Sequence, residues 1–391
     1  MQYWRMNFYR LKFYKMKNKE IKKLRTGFTT GACATAAAKA AWMLYNGEKA
    51  EDEISVTFPD RKHRSIKLES AEMDEESRTA RVSVVKDAGD DPDVTDNAHI
   101  TVKIAPIAAR KISDSDFTED ILDSSFVLRG GKGVGLVTRK GLPVPEGKWA
   151  INPVPRKMIS GNIASCKFKT TGLFLLEISV KNGERIAKKT LNPTLGIKGG
   201  ISILGTSGIV VPYSNKAYLK TVTILLDGAK LQKLGHIALC TGGTTAKAIG
   251  KMYPEIPDQG IIRIGDFINP AIKHASSLGF EKITVACMPG KLLKYAEGHR
   301  NTHAHNVKQQ FGGLAKFAEQ LGFTGKTVER IRGSATVREI LNFIKPDPAL
   351  QMMNDLAGKA LGNFFNWTGF SNIEVVVFDT DGKTVTKKSY L

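Results

Sequence analysis

The sequence predicts an α+β N-terminal domain with a glycine-rich loop region, followed by an α/β C-terminal domain with a mainly parallel sheet. Three observations predict it. At 391 residues the chain is longer than one compact core commonly takes, so two domains are expected. Up to about residue 212, one alanine-rich helical stretch is followed by short β-type runs and two glycine-rich blocks. Beyond that point strands and helices alternate, the pattern of a parallel sheet covered on both faces. The expected boundaries are 1–23 for a basic N-terminal extension, 24–212 for the α+β domain and 213–391 for a Rossmann-like α/β domain.

Each element has its own warrant. TTGACATAAAKAAWMLYNG reads as a helix: Thr29 or Thr30 can cap its start, alanine fills its body, and Asn46-Gly47 ends it. Alternating β-type runs cover Ile54–Phe58, Ser65–Leu68, Ala80–Val85 and His99–Ile104. Glycine and proline dominate from Arg129 to Arg156, which reads as a long loop-and-strand region. The strand-like TGLFLLEISV and a second glycine-rich block, LGIKGGISILGTSGIVVP, complete the first half. A helix from Ser214 to about Leu234 then leads into strand His236–Cys240, the loop TGGTTAK and a helix. Strand Ile261–Ile264, a helix, strand Lys282–Ala286, helix Gly290–Glu297 and a last strand, Glu374–Phe378, continue the alternation.

Hydrophobic residues at 42% and charged residues at 25% are ordinary for a folded chain. No apolar run has the length of a bilayer span, so membrane insertion is not expected. Cys33, Cys166, Cys240 and Cys287 lack CxxC spacing, which indicates neither a disulfide framework nor a structural zinc site and fits a reducing cytoplasm. Lys+Arg 58 against Asp+Glu 38 gives a net charge of +20, a surface that attracts polyanions: nucleic acid, anionic membrane, or a small molecule rich in carboxylates or phosphates. The opening MQYWRMNFYRLKFYK carries Arg5, Arg10, Lys12 and Lys15 among six aromatics. It reads either as a membrane-surface helix or as a start-site artefact, with translation beginning at Met16.

Seven motifs carry possible chemistry. LRTGFTTGACATAAAKAA joins a helix N-terminus to Thr29 and Thr30, an anion-friendly arrangement, and its alanines suit either a ligand's close approach or a tightly buried helix. DAGDDPDVTD bunches Asp87, Asp90, Asp91, Asp93 and Asp96 without the spacing of an EF-hand; it reads as a solvated turn or as a receiver for a cation such as a sulfonium. RGGKGVG lacks the following helix of a dinucleotide fingerprint, yet its backbone donors and Arg129, Lys132, Arg139 and Lys140 could grip carboxylates or phosphates. LGIKGGISILGTSGIVVP, with no Walker pattern, and CTGGTT, after a strand and opening a helix, are places where backbone could approach a ligand closely. Finally, His299, His303 and His305 crowd into EGHRNTHAH; with no third ligand in sight, an imidazole offered to substrate is preferred over a zinc site. Upstream, PGKLLK puts Lys291 at a helix start.

Read in order from about Leu24 to His305, LRTGFTTGACATAAAKAA, DAGDDPDVT, GGKGVGLVTRKGL, AINPVPR, LGIKGGISILGTSGIVVP and PGKLLKYAEGHRNTHAH resemble the CbiD family, the cobalt-precorrin-5B C1-methyltransferases of anaerobic cobalamin synthesis. The resemblance implies transfer of a methyl group from S-adenosylmethionine, as cosubstrate, to ring carbon C-1 of a cobalt-containing corrinoid, giving cobalt-precorrin-6A. It further implies that cobalt arrives within a substrate rimmed by acetates and propionates, with no protein-bound metal. The chain departs from the family pattern at Met288, Lys308 and Gln310, and in the element Asp266-Phe267-Ile268-Asn269.

On this reading His303 and His305 are the first catalytic candidates, with Asp90 and Asp91 second. Gly199, Gly200, Gly205, Thr206, Gly208, Thr241, Gly242 and Gly243 are expected to line the methyl-donor pocket. Arg25, Thr29, Thr30, Lys132, Arg139, Lys140, Arg156 and Lys291 are expected to hold the polyanionic corrinoid. No nucleic-acid partner is expected; oligomeric state stays open, with a homodimer one option. The rival readings are a basic RNA-binding protein without catalytic activity, which would need an RNP, KH or zinc-knuckle signature the chain lacks, and a phosphate-handling kinase or ligase.

Overall fold

The computed structural model describes residues 24–302 and 311–390. The expectations for the N-terminal extension, His303, His305, Lys308 and Gln310 therefore lie outside the described residues. Contacts divide the chain into two compact units between Ser214 and Asn215.

In the first unit β1 (Gly27–Phe28) leads into α1 (Thr30–Tyr45), whose N-cap Thr29 accepts a hydrogen bond from the Ala32 N–H. Strands β2 (Glu53–Thr57) and β3 (His63–Lys67) form a hairpin. A mixed six-stranded sheet follows, built from β4 (Ser70–Asp74), β5 (Thr79–Val85), β6 (His99–Pro106), β7 (Phe117–Ile121), β8 (Ser124–Gly130) and, later in the chain, Gly172–Val180. Between them come the two-residue strands β9 (Gly133–Val134) and β10 (Leu136–Val137), then α2 (Pro153–Ala164). With Gly172–Val180 as β11 the sheet order is β4-β5-β6-β11-β8-β7, and only β11 and β8 run parallel. Short helices α3 (Gly183–Ala187) and α4 (Asn192–Leu195) and the small strands β12 (Ile197–Lys198), β13 (Gly200–Ile201) and β14 (Ile209–Val210) close the unit.

Alternation puts Ala80, Val82 and Val84 of β5 and Ile100, Val102 and Ile104 of β6 on one buried face. Helix α1 lies over that face. Its Ala34, Ala36, Ala37 and Ala38 are fully buried, so the small side chains serve packing on several sides at once rather than an open ligand surface. Two differences from the sequence reading concern proline and strand length. The Arg129–Arg156 region already contains the start of a helix, because Pro153 and Pro155 suit the first turn, where no N–H is needed. Strands β4, β7 and β8 were not expected; β7 is five residues long and masks its apolar ends with Thr118-Glu119-Asp120.

The second unit begins with α5 (Asn215–Leu231) and β15 (His236–Cys240). It continues through α6 (Gly243–Met252), β16 (Ile261–Arg263), α7 (Ile268–Ser277), β17 (Lys282–Cys287) and α8 (Pro289–Ala296). Four helices not expected from the sequence follow: α9 (Phe311–Gln320), α10 (Lys326–Gly333), α11 (Val337–Phe343) and the 23-residue α12 (Pro346–Thr368). Strands β18 (Ile373–Phe378) and β19 (Thr384–Ser389) finish a five-stranded sheet ordered β16-β15-β17-β18-β19, parallel except at the β19 edge.

Both faces of that sheet are covered. Ile237, Leu239, Ile283, Val285, Val375 and Val377 enter one core with α5, α7, α8 and α12, while Ala238, Cys240, Ala286, Val376 and Phe378 pack on the other side with Ala248 and Ile249 of α6. Strand β15 is followed by a connection to one neighbour, β16, and the chain then returns to its other neighbour, β17. The carboxyl ends of β15 and β17 therefore flank a topological switch point, where open α/β sheets commonly bind ligands.

Candidate functional site

In the first unit the Arg25–Gly31, Asp87–Asp93 and Ile203–Val210 segments converge. The Arg25 N–H donates to Asp90 Oδ2 at 2.6 Å, and the Asp90 N–H returns a bond to the Arg25 carbonyl at 2.9 Å. The Arg25 guanidinium pairs with Asp87 and holds that carboxyl below its usual range. Val210 pairs with Gly27, and Asp91 Oδ1 accepts the Tyr213 N–H at 3.0 Å. Burial pushes the Asp91 carboxyl up from its ordinary pKa. Beneath them Lys86, only 1% exposed, donates to Asp93 Oδ2 at 2.8 Å.

Most of the expected contact residues here are engaged within the chain. Thr30 Oγ1 donates to the Ser202 carbonyl at 3.0 Å and accepts the Leu204 N–H at 2.9 Å, so its hydroxyl joins α1 to the second glycine block. Thr29 is the helix cap, and its side chain fills the space in front of Gly205. Gly208 faces the Phe58 ring, and Gly200 faces the backbone of Gly133. At each of these glycines the side-chain position is filled by another stretch of this chain. Gly199 differs: its φ is +82° and the space before it is open. Thr206 is exposed beside Gly205.

The expected cations also divide. Arg129 donates to Asp116 through Nη2 at 2.6 Å and to the Lys111 carbonyl at 2.7 Å, and Trp149 Nε1 reaches the same carboxylate at 3.1 Å. Burial opposes ionisation of Asp116, but these donors outweigh it and keep its pKa below the usual range. Arg156 donates to Glu119 at 2.7 Å and lies over the Phe117 ring at 4.1 Å. Its Nε is buried with no partner among the described residues. The Arg139 side chain runs across Gly196. Lys132 and Lys140 stand exposed on the first glycine loop.

In the second unit the switch point gathers Thr241, Gly242 and Gly243 after β15 with Asp266 and Lys291. The Thr241 N–H donates to the Ala286 carbonyl at 3.0 Å, fixing the loop to β17, and Gly242 caps α6 with open space before it. The Arg263 guanidinium lies about 4 Å from where a side chain on Gly243 would begin, with its Cζ at 3.9 Å. Lys291 is ion-paired with Asp266 and donates to Thr302 Oγ1 at 2.8 Å. Thr302 is fully buried; its hydroxyl donates to Asp266 at 3.0 Å, and its carbonyl accepts Lys294 Nζ at 2.9 Å. Burial, with the charge of Lys291, lowers the Lys294 pKa. Sequence reasoning missed Lys86, Asp116 and the Thr302 knot, since no local motif marks partners that meet only on folding. Among the described residues no group of three or more His, Cys, Asp or Glu is arranged to hold a metal ion. None of their helices is long and apolar enough to cross a membrane.

Residues 17–212 match the family model CbiD, and residues 301–389 match the model "CbiD, C-terminal domain". This chain belongs to the CbiD family. The cobalt-precorrin-5B C(1)-methyltransferase of Priestia megaterium is 40% identical over 324 residues, covering 82% of this CbiD chain and 84% of its own. The protein of that name from Picrophilus torridus is 37% identical over 366 residues, covering 93% and 99%. A crystal structure of a cobalamin biosynthesis protein (CbiD) from Archaeoglobus fulgidus is 29% identical, covers 72% of this chain and 83% of that one, and superposes with a TM-score of 0.37.

Proposed function

We propose that this CbiD chain is a cobalt-precorrin-5B C(1)-methyltransferase, adding a methyl group to C-1 of the corrinoid to give cobalt-precorrin-6A. The observation that carries this reading is the 37% identity to the Picrophilus torridus enzyme across 93% of this chain and 99% of that one, a match too long to rest on a single motif.

S-adenosylmethionine is the proposed methyl donor, and its sulfonium supplies an electrophilic methyl carbon that needs no covalent help from the protein. The chain's task is then alignment and exclusion of water, and alignment alone is worth about 7–11 kcal/mol. Positive charge is lost at sulfur during transfer, so donor binding favours carbonyl and carboxylate oxygens over bare cations. At the switch point of the second unit Gly242 leaves room for close approach and Asp266 offsets the charge of Lys291, while the Arg263 guanidinium stands beside Gly243. Lys132 and Lys140, exposed on the first glycine loop, are proposed anchors for the corrinoid's carboxylates. The working compartment is the cytoplasm, and the cobalt belongs to the substrate. His303 and His305 are the first candidates to move a proton or to meet the corrinoid.

The test is an anaerobic incubation of the protein with methyl-labelled S-adenosylmethionine and cobalt-precorrin-5B, following label and mass in the corrinoid. One labelled methyl at C-1 is expected; no transfer would refute the reading. The double variant H303A/H305A is expected to lose turnover and keep donor binding, and full activity would remove both histidines from the mechanism.

A further inference from the structure

Three segments of the first unit are locked together by glycine. Gly133, at φ +83°, packs its backbone against both Gly183 and Gly200, leaving no room for a side chain on any of the three. The Val180 N–H donates to the Lys132 carbonyl at 2.9 Å, Lys198 pairs with Leu136, and Asn192 Nδ2 holds the Gly200 carbonyl at 2.9 Å. The 131–140 loop, the 181–189 turn-and-helix and the 196–200 strand pair therefore form one body.

The charge on that body is predominantly positive. Its three segments carry eight Lys and Arg residues and a single acid, Glu184. Lys132, Lys140, Lys181, Arg185, Lys188 and Lys198 are all exposed. Lys181, Arg185, Lys188 and Lys198 form no ion pair among the described residues, in contrast to Arg25, Arg129 and Arg156, each of which has a carboxylate partner. Exposed cations carried on segments whose backbones are locked together make a preorganised receiver for a multiply charged anion. The three segments contain no aromatic residue and no histidine, so they offer none of the stacking surface that single-stranded nucleic acid uses.

We propose that Lys181, Arg185, Lys188 and Lys198, with Lys132 and Lys140, form a docking surface for the side-chain carboxylates of the corrinoid. This rests on the proposed function and goes beyond it by placing the substrate's acid groups on the glycine-locked body. Several spaced carboxylates on a stiff macrocycle match several spaced cations on a stiff surface, so each contact is made without ordering a flexible partner.

The probe is cobyrinic acid, a stable corrinoid with free carboxylates, compared with an amidated counterpart that lacks most of those charges. The variant carries K181Q, R185Q, K188Q and K198Q. A control carrying K49Q, K62Q, K67Q and K169Q removes the same charge from elsewhere on the unit. The expected result is about tenfold or greater loss of cobyrinic acid affinity in the first variant and little change in the control. Binding of the amidated corrinoid should barely respond, and wild-type affinity for the acid should fall with added salt. The KM for the corrinoid should rise in the first variant while that for the methyl donor stays put. Equal binding by wild type and variant, with wild-type methyl transfer intact, overturns the surface and leaves the function standing. A wild-type protein that neither binds cobyrinic acid nor transfers methyl overturns both. Unchanged corrinoid affinity with lost binding of poly(U) RNA overturns the surface in favour of nucleic acid.

Discussion

The carbonyl of Gly133 occupies the space where a side chain on Gly200 would begin, while its neighbour Gly199 looks into open space. Two adjacent glycines therefore have different reasons to be glycine. Gly200 is required by a backbone on the other side, and Gly199 only by its φ of +82°. Gly200→Ala is expected to cost about 3 kcal/mol or more, as a clash between backbones that cannot yield. Gly199→Ala should cost about 1 kcal/mol, the strain of a left-handed residue. Thermal or denaturant unfolding of the two variants checks the order, and equal effects would contradict the packing described.

The ion pair of buried Lys86 with half-buried Asp93 sets a second expectation. Burial favours the neutral form of Asp93, but Lys86 and the hydrogen bonds from Thr95 outweigh it and leave the carboxyl below its usual range. A carboxyl depressed on folding contributes stability that is fully present above its unfolded pKa and lost as pH falls through the folded one. Asp93→Asn should cost about 3 kcal/mol at neutral pH, because it strands an ammonium that is 1% exposed. The difference from wild type should shrink in acid, where the wild-type pair is itself being protonated. A pH series of unfolding midpoints measures both.

Asp91 behaves oppositely. Its pKa is raised by burial, so the folded state binds a proton that the unfolded state releases, and its contribution to stability falls as pH rises from the ordinary carboxylate pKa through the raised one. Asp91→Asn can still accept the Tyr213 N–H, and is expected to be no less stable than wild type at neutral pH. If Asp91 also takes part in methyl transfer, the same variant loses turnover while keeping its fold. Parallel unfolding and label-transfer assays separate the two roles.

Thiol chemistry offers a fourth check. Burial pushes Cys33 and Cys240 up to about 12 and raises Cys287 and Cys166 as well, but Cys166 alone is half-buried and open to reagent. Native protein at mildly alkaline pH should expose one reactive thiol to a disulfide reagent, mapped by peptide mass to Cys166. Denaturant should bring the number to all four. Fast labelling of Cys240 or Cys287 in native protein would mean that the sheet core opens more readily than its packing implies.

Local signals were legible where one segment contains its own cause. Thr29 caps α1 through a bond three residues on, and the apolar runs of β15 and β17 announce a doubly covered sheet without help from elsewhere. The four helices between Phe311 and Thr368 are not expected from the sequence motifs, although α12 has the length and burial of a core helix. The glycine-rich blocks were read as places for a ligand. Nothing local shows which glycines are required by a neighbouring stretch of the chain, and at Gly200, Gly205 and Gly208 such a stretch fills the side-chain position.

The sequence by itself determined the family, the alternation that makes a parallel sheet, and the positive charge that calls for an anionic partner. These are properties of residue order and composition, which survive without coordinates. Tertiary structure alone decided which cations are committed. Arg129, at the end of β8, meets Asp116 across the β7–β8 pairing, and Arg156 reaches from α2 to Glu119 of β7, pairings set by packing rather than by spacing in the sequence. The same folding brings Lys132, Lys181 and Lys198 onto one body, because glycine lets three backbones meet where any side chain would hold them apart.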